Sequence, residues 1–215
     1  MKKVLYSAMF DNEAYPFHVL AERVETVKLP SEMPERDSVL VLWGGADINP
    51  KYYNHKSSKT TYTSARRDPL EWDLLHHAIT RGIPIIGVCR GAQMLCAAAG
   101  GYLIQDTTSH AGPRHMCTTF DGEEFVVNSI HHQMMAGLEG VDHQLLAWTS
   151  QNKSRHYLIQ NDQVYTPPKN WVEPEMVDFP SIKGLAVQWH PEGMDNTSLA
   201  TQFILKHYGE RYGAT

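Results

Sequence analysis

The stretch Ile83 to Ala99, IPIIGVCRGAQMLCAAA, constrains the fold more than any other part of the chain. Ile83 to Val88 is apolar at nearly every position, as suits a strand buried on both faces, and Pro84 stands near its start, where a missing N–H matters least. Gly91 to Ala99 is alanine-rich and reads as a helix ended by Gly100-Gly101. Gly87-Val88-Cys89-Arg90-Gly91 joins the two. This is the G-x-nucleophile-x-G elbow with cysteine in place of serine. Its glycines are needed because side chains there would crowd a tight, strained turn. A cysteine at a helix N-terminus also meets the positive end of the macrodipole, which favours a thiolate.

The rest of the first half repeats the rhythm. Lys3 to Ala8, Arg23 to Leu29 and Ser38 to Trp43 read as strands, and residues 44–67 as a long loop. Asp68 is placed to cap a helix, with Pro69 at its first position and Glu71 where a capping-box acid belongs. Leu70, Leu74, Leu75, Ala78 and Ile79 follow at helical spacing, and Gly82 ends the element. Strands and helices alternating in this way predict an α/β fold with a parallel sheet. The second half is less regular. Glu124 to Val127, Leu145 to Trp148, Arg155 to Ile159 and Ile182 to Trp189 read as strands. Thr197 to His207 reads as a closing helix with Leu199, Phe203 and Ile204 on one face. No repeat, low-complexity tract or linker divides the chain, so one domain over 1–215 is expected.

Composition removes several classes of function. The 215 residues are 42% hydrophobic with five Trp and ten Tyr, which excludes disorder. A formal net charge of −5 offers no general grip on nucleic acid or an anionic membrane. The N-terminal apolar run breaks at Asp11, too short for a signal peptide or a membrane span. Three cysteines with no CxxC pair argue against a disulfide framework. A reducing, cytoplasmic setting is the expectation.

A thiol nucleophile wants a base, and the base an orienting group. In GLAVQWHPE, an apolar strand delivers His190 to its carboxyl end, Pro191 stops the strand, and Glu192 follows two residues on. A carboxylate there would hold the imidazole and raise its basicity. The other two cysteines have no such setting: Cys96 lies within the helix and Cys117 in what reads as a polar loop. Cys-Arg-Gly also occurs in the caspase signature, but Gly-Val precedes Cys89 here, and residues 35–42 offer no histidine.

GVCRGAQ, the downstream WHPEG and the strand-terminal LWGGADINP together resemble the class I glutamine amidotransferase superfamily. Within it, GGADINPKYY, ARRDPLEWDLL and VNSIHHQ most resemble the γ-glutamyl hydrolases, the group that includes γ-glutamyl-γ-aminobutyrate hydrolase. The resemblance runs from about residue 38 to 193. It implies a flavodoxin-like, mostly parallel sheet with helices on both faces, and a triad of Cys89, His190 and Glu192. It also implies cleavage of a γ-glutamyl amide, or of glutamine, through a thioester on Cys89. The implied oxyanion donors are the backbone N–H of Arg90 and one from Gly44-Gly45. Gln93, Asn128, Ser129, His131 and His132 match positions that meet the substrate.

Relatives that work with a synthetase often carry Gly-His-Gln shortly after the cysteine, where this chain has Arg90-Gly91-Ala92-Gln93. That favours a stand-alone hydrolase over a glutaminase module feeding ammonia to a partner synthetase or ligase. A catalytically idle binding protein is the third alternative, and the intact triad argues against it. No cofactor is expected. No metal is expected either: His110, His115, Cys117, His131 and His132 match no zinc spacing, and adjacent histidines in a strand point to opposite faces.

Overall fold

The computed structural model describes residues 1–10, 14–112 and 114–213. The first half supplies β1 (Lys2–Ala8), β2 (Ala21–Val27), β3 (Ser38–Leu42), α1 (Arg67–Arg81), β4 (Ile85–Val88) and α2 (Arg90–Ala98). After it come β5 (Tyr102–Ile104), β6 (Asp106–Thr107), β7 (His115–Thr119), β8 (Glu124–Val127), β9 (Met134–Ala136) and β10 (Gln144–Thr149). The chain continues with β11 (Tyr157–Ile159), β12 (Gln163–Val164), β13 (Pro174–Phe179), β14 (Gly184–Val187) and α3 (Leu199–Tyr212).

Nine strands form one sheet in the order β2-β1-β3-β4-β14-β13-β10-β7-β8. The five from β2 to β14 are parallel to their neighbours, and the remaining pairings are antiparallel. Two small sheets, β12-β11-β6 and β5-β9, lie outside it.

The consecutive apolar residues of β3 and β4 are divided between two cores by the strand period of two. Leu40, Leu42 and Ile85 pack with Leu74 and Leu75 of α1 and Leu95 of α2 on one face. Val39, Val41, Ile86 and Val88 pack with Phe203, Ile204 and Tyr208 of α3 on the other. Each fully buried aliphatic side chain contributes about 1.5–3 kcal/mol. This double burial fixes the carboxyl ends of β3, β4 and β14, where the chemically interesting residues emerge. Among the described residues, no helix is long and apolar enough to cross a membrane.

The structure corrects several sequence expectations. Asp68 does not cap α1: the N-cap is Arg66, which makes no side-chain capping bond, and Asp68 and Glu71 are both buried in ion pairs. Leu199 is 67% exposed because α3 begins there, with Ser198 as its cap, and the inward face starts at Ala200. Cys117 lies on β7, fully buried, rather than in a polar loop. β13 is absent from the sequence reading because PEMVDF looks too polar for a central strand, yet all six residues are buried. The second strand lies two residues earlier than expected, at Ala21–Val27.

Candidate active site

Cys89 is the pivot between β4 and α2. Its backbone adopts φ 50 and ψ −102, a region that L residues rarely enter and that costs about 1–3 kcal/mol. Its N–H donates to the Val187 carbonyl at 2.7 Å, so β14 holds the pivot from the side. The flanking glycines are required by space. A Cβ on Gly87 would stand 2.4 Å from the Gly91 carbonyl oxygen, and one on Gly91 would stand 2.2 Å from that of Leu42. The elbow is therefore packed tightly against the neighbouring strand, and this contact fixes where α2 starts.

His190 leaves the end of β14 and is held at both backbone polar atoms. Its N–H donates to Asn128 Oδ1 at 2.8 Å, and Asn128 Nδ2 donates to the His190 carbonyl at 2.8 Å. The ring Nδ1 lies 2.7 Å from Glu192 Oε1. A carboxylate only accepts, so Nδ1 carries the proton and Nε2 is left for chemistry. Burial works against the charged imidazolium. Hydrogen bonds with Cys89 and Glu192 outweigh it and raise the His190 pKa to about 10. Thiol, imidazole and carboxylate thus form a chain in which a proton can pass from sulfur to His190 while Glu192 stabilises the resulting cation.

The third wall is the end of β3. A Cβ on Gly44 would stand 2.6 Å from His190 Cε1, so the backbone of residue 44 lies directly against that imidazole. Arg67 fixes this backbone: Nη1 donates to the Gly44 carbonyl at 2.7 Å and Nη2 to the Trp43 carbonyl at 3.0 Å. Arg67 is paired in turn with Glu71 Oε1 at 2.8 Å. The other Glu71 oxygen takes Arg90 Nη1, and Arg90 Nη2 reaches Asp68 Oδ1 at 2.6 Å. Asp68 Oδ2 accepts the Asn49 N–H at 2.9 Å. Two arginines and two carboxylates, nearly all buried, therefore lock the 43–49 loop to the first turns of α1 and α2. Sequence reading missed this function for Arg67, Asp68 and Glu71. Their signal was present in ARRDPLEWDLL, where the charges were assigned to a helix cap.

The residues expected to meet substrate divide into groups. The Arg90 N–H belongs to the first turn of α2, where N–H groups have no intrahelical carbonyl to bond, while its side chain is committed to the ion network. Gly44 and Gly45 lie on the same side as His190 and Arg67. Gln93 is buried one turn after Cys89, and its Nε2 donates to the Gln133 carbonyl at 3.1 Å. Asn128 positions the His190 backbone. Ser129 is 1% exposed and its hydroxyl donates to the His110 carbonyl. His131 is 3% exposed with Nε2 turned towards Glu175. His132 points the opposite way, between Asp47 at 3.0 Å and Asp106 at 3.2 Å, and these carboxylates, Asp47 first, raise its pKa against the effect of burial.

The chain is similar to several known proteins. Residues 24–120 match the Peptidase C26 family. The glutamine amidotransferase-like protein YvdE of Lactococcus lactis subsp. lactis is 29% identical over 180 residues, covering 71% of this chain and 65% of that protein. Its homolog in Lactococcus lactis subsp. cremoris is 30% identical over 135 residues, 53% of this chain and 71% of that one. A shorter match, 31% over 86 residues, is to the γ-glutamyl-γ-aminobutyrate hydrolase of Escherichia coli O157:H7, covering 40% of this chain and 32% of that enzyme. The chain thus spans less than two thirds of the length of several relatives, 65% of the first of them. Among solved structures, a glutamine amidotransferase from Thermotoga maritima superposes with a TM-score of 0.59 at 13% identity, over 98% of this chain and 84% of that one.

The protein belongs to the class I glutamine amidotransferase superfamily, with the flavodoxin-like fold of that group.

Proposed function

We propose that this chain is a thiol hydrolase that cleaves a γ-glutamyl amide through a γ-glutamyl thioester on Cys89. The observation that carries the reading is the linked set of Cys89 on a strained elbow, His190, whose charged form Cys89 and Glu192 both favour, and Glu192 Oε1 2.7 Å from His190 Nδ1. In the first half-reaction the Cys89 sulfur, its proton held by His190, attacks the amide carbonyl carbon. The carbonyl π electrons move to oxygen, and the oxyanion is met by the Arg90 N–H and by the Gly44-Gly45 backbone. As the intermediate collapses, the C–N bond breaks and His190 gives its proton to the departing amine. In the second, His190 takes a proton from water, the hydroxide adds to the thioester, and glutamate leaves with Cys89 restored.

The stand-alone reading is favoured over an ammonia-supplying module by the residues after the nucleophile, Arg90-Gly91-Ala92-Gln93. The Arg90 side chain is bound to Glu71 and Asp68 of the same chain. The elbow is thus braced from within and needs no second protein to organise it. A panel of γ-glutamyl amines and glutamine, incubated with the isolated protein and read by mass spectrometry, tests this reading. Turnover of a γ-glutamyl amine unaided is the expected result. Weak glutamine hydrolysis alone, raised strongly by a synthetase or ligase, would establish the module instead.

A further inference from the structure

At the junction of the antiparallel strands and the loops before β7 and after β8, the fold gathers three histidines around one carboxylate. His110 precedes β7, His115 opens it, His131 follows β8, and Glu175 comes from β13. All four are buried. His115 Nε2 lies 3.0 Å from Glu175 Oε1, His110 Nδ1 3.5 Å and His131 Nε2 3.6 Å from the same oxygen. His110, His115 and Glu175 offer ligand atoms that all lie within 4.8 Å of one another.

Hydrogen bonding does not explain this convergence. One carboxylate oxygen has two lone pairs, and three ring nitrogens are turned towards it. Among the described residues, both ring nitrogens of His110 and of His115, and Nε2 of His131, have no well-directed hydrogen bond although they are shielded from solvent. Orphaned buried polar atoms of this kind are rare and need a partner. We propose that His110, His115 and Glu175, with His131 beside them, form a structural site for a divalent cation of the zinc type.

The spacing suits that ion. Bonds of about 2.0–2.1 Å to nitrogen and oxygen put tetrahedral ligand atoms about 3.3 Å apart; Glu175 Oε1 lies 3.0 Å from His115 Nε2 and 3.5 Å from His110 Nδ1, and the ligand atoms of these three residues are all within 4.8 Å of one another. Three neutral imidazoles and one carboxylate are borderline donors suited to zinc rather than magnesium or calcium. An outer layer is present too. His131 Nδ1 lies 2.9 Å from the Gln133 carbonyl, which fixes the tautomer that frees Nε2, and Glu173 Oε2 stands 3.0 Å from His110 Nε2. His110, His115 and Glu175 would supply three ligands, and a small shift of His131, whose Nε2 is 3.6 Å from Glu175 Oε1, would supply the fourth, so the ion would staple these chain segments together. The staple also reaches the nucleophile helix, because the Gln133 carbonyl that meets His131 also accepts from Gln93 of α2. The absence of a zinc pattern in the sequence follows from Glu175, which lies far along the chain on a strand that reads as polar.

The test is metal content and spectroscopy on the whole chain. Protein made in zinc-supplemented medium, and protein stripped with a chelator and reconstituted, are analysed by elemental mass spectrometry and thermal unfolding. About one zinc per chain, a Tm that rises on reconstitution, and the visible bands of tetrahedral cobalt after Co(II) substitution are expected. His115→Ala and Glu175→Gln should each lose the stoichiometric ion, whereas His76→Ala on the exposed side of α1 should keep it. Wild-type protein that takes up no stoichiometric zinc or cobalt overturns the proposal, and so does retention of the ion by both folded site variants. In either case the cluster is a proton-sharing network of buried histidines and glutamates.

Discussion

Gly44 lies so close to His190 that a single added methyl group would stand 2.6 Å from the imidazole Cε1. This contact ties the end of β3 to the end of β14 across the elbow, and Arg67 holds the glycine in place through its carbonyl. Gly44→Ala should therefore push the ring out of line with Cys89. Displacements near 1 Å at a reacting group cost about 100-fold, so a fall of that order in kcat is expected, with a smaller change in KM. Steady-state kinetics on a γ-glutamyl amide substrate check it.

The triad members should differ in the severity of their loss. Removing the base in His190→Ala should lower kcat by about 10⁴-fold or more. Glu192→Gln leaves the ring a hydrogen-bond partner but no negative charge, and a somewhat smaller loss is expected. Comparing kcat for the two variants at one pH reads the order directly.

The His190 pKa, raised from 6.5 to about 10, gives a pH signature. A folded-state pKa above the unfolded one means that stability from this ionisation is fully present below pH 6.5 and is lost as pH rises through about 10. In the proposed mechanism this is the proton His190 delivers to the leaving amine, so activity should also fall on that alkaline side. Glu192→Gln removes one of the interactions that hold the proton, and the His190 titration followed by NMR should move to lower pH.

The Arg67–Glu71–Arg90–Asp68 network is buried, so breaking it leaves uncompensated charge. Glu71→Ala takes the carboxylate partner from Arg67 and leaves Arg90 with Asp68 alone, and should cost about 3–5 kcal/mol in unfolding free energy. Arg67→Lys keeps the charge but loses the planar fork that reaches two carbonyls and a carboxylate together. It should lower kcat while leaving most of the stability. Urea unfolding beside kinetics separates the two effects.

Of the three thiols, only one should react in the folded protein. Burial pushes the Cys96 thiol up to about 12 and Cys117 upward as well, and both side chains are sealed from solvent. Iodoacetamide should add once to native protein, at Cys89, and three times after unfolding, as intact-mass spectra will show.

The parts of this architecture that depend on neighbours in sequence were legible in the chain. The elbow, the His-Pro-Glu turn, β3 and β4 each declare themselves within a few residues, because apolar runs and glycine turns are local features. What depended on partners far along the chain was hidden. Asp68 and Glu71 carry a capping signature, yet a buried arginine 19–22 residues away claims both carboxylates. β13 reads as polar because its acids face inward to partners supplied by other segments: His115 for Glu175, and Arg211 and Tyr212 for Asp178. Ser129 and His131 sit in a motif that resembles a substrate-binding loop, but the antiparallel half of the sheet folds over them.

Hydrolysis of a γ-glutamyl amide by wild-type protein and by Cys89→Ala, with free glutamate measured over time, tests the central claim most directly. Wild-type protein should release glutamate and amine in equal amounts, and Cys89→Ala, correctly folded, should release none above the uncatalysed rate. Wild-type turnover in Cys89→Ala would contradict a thioester mechanism at the elbow.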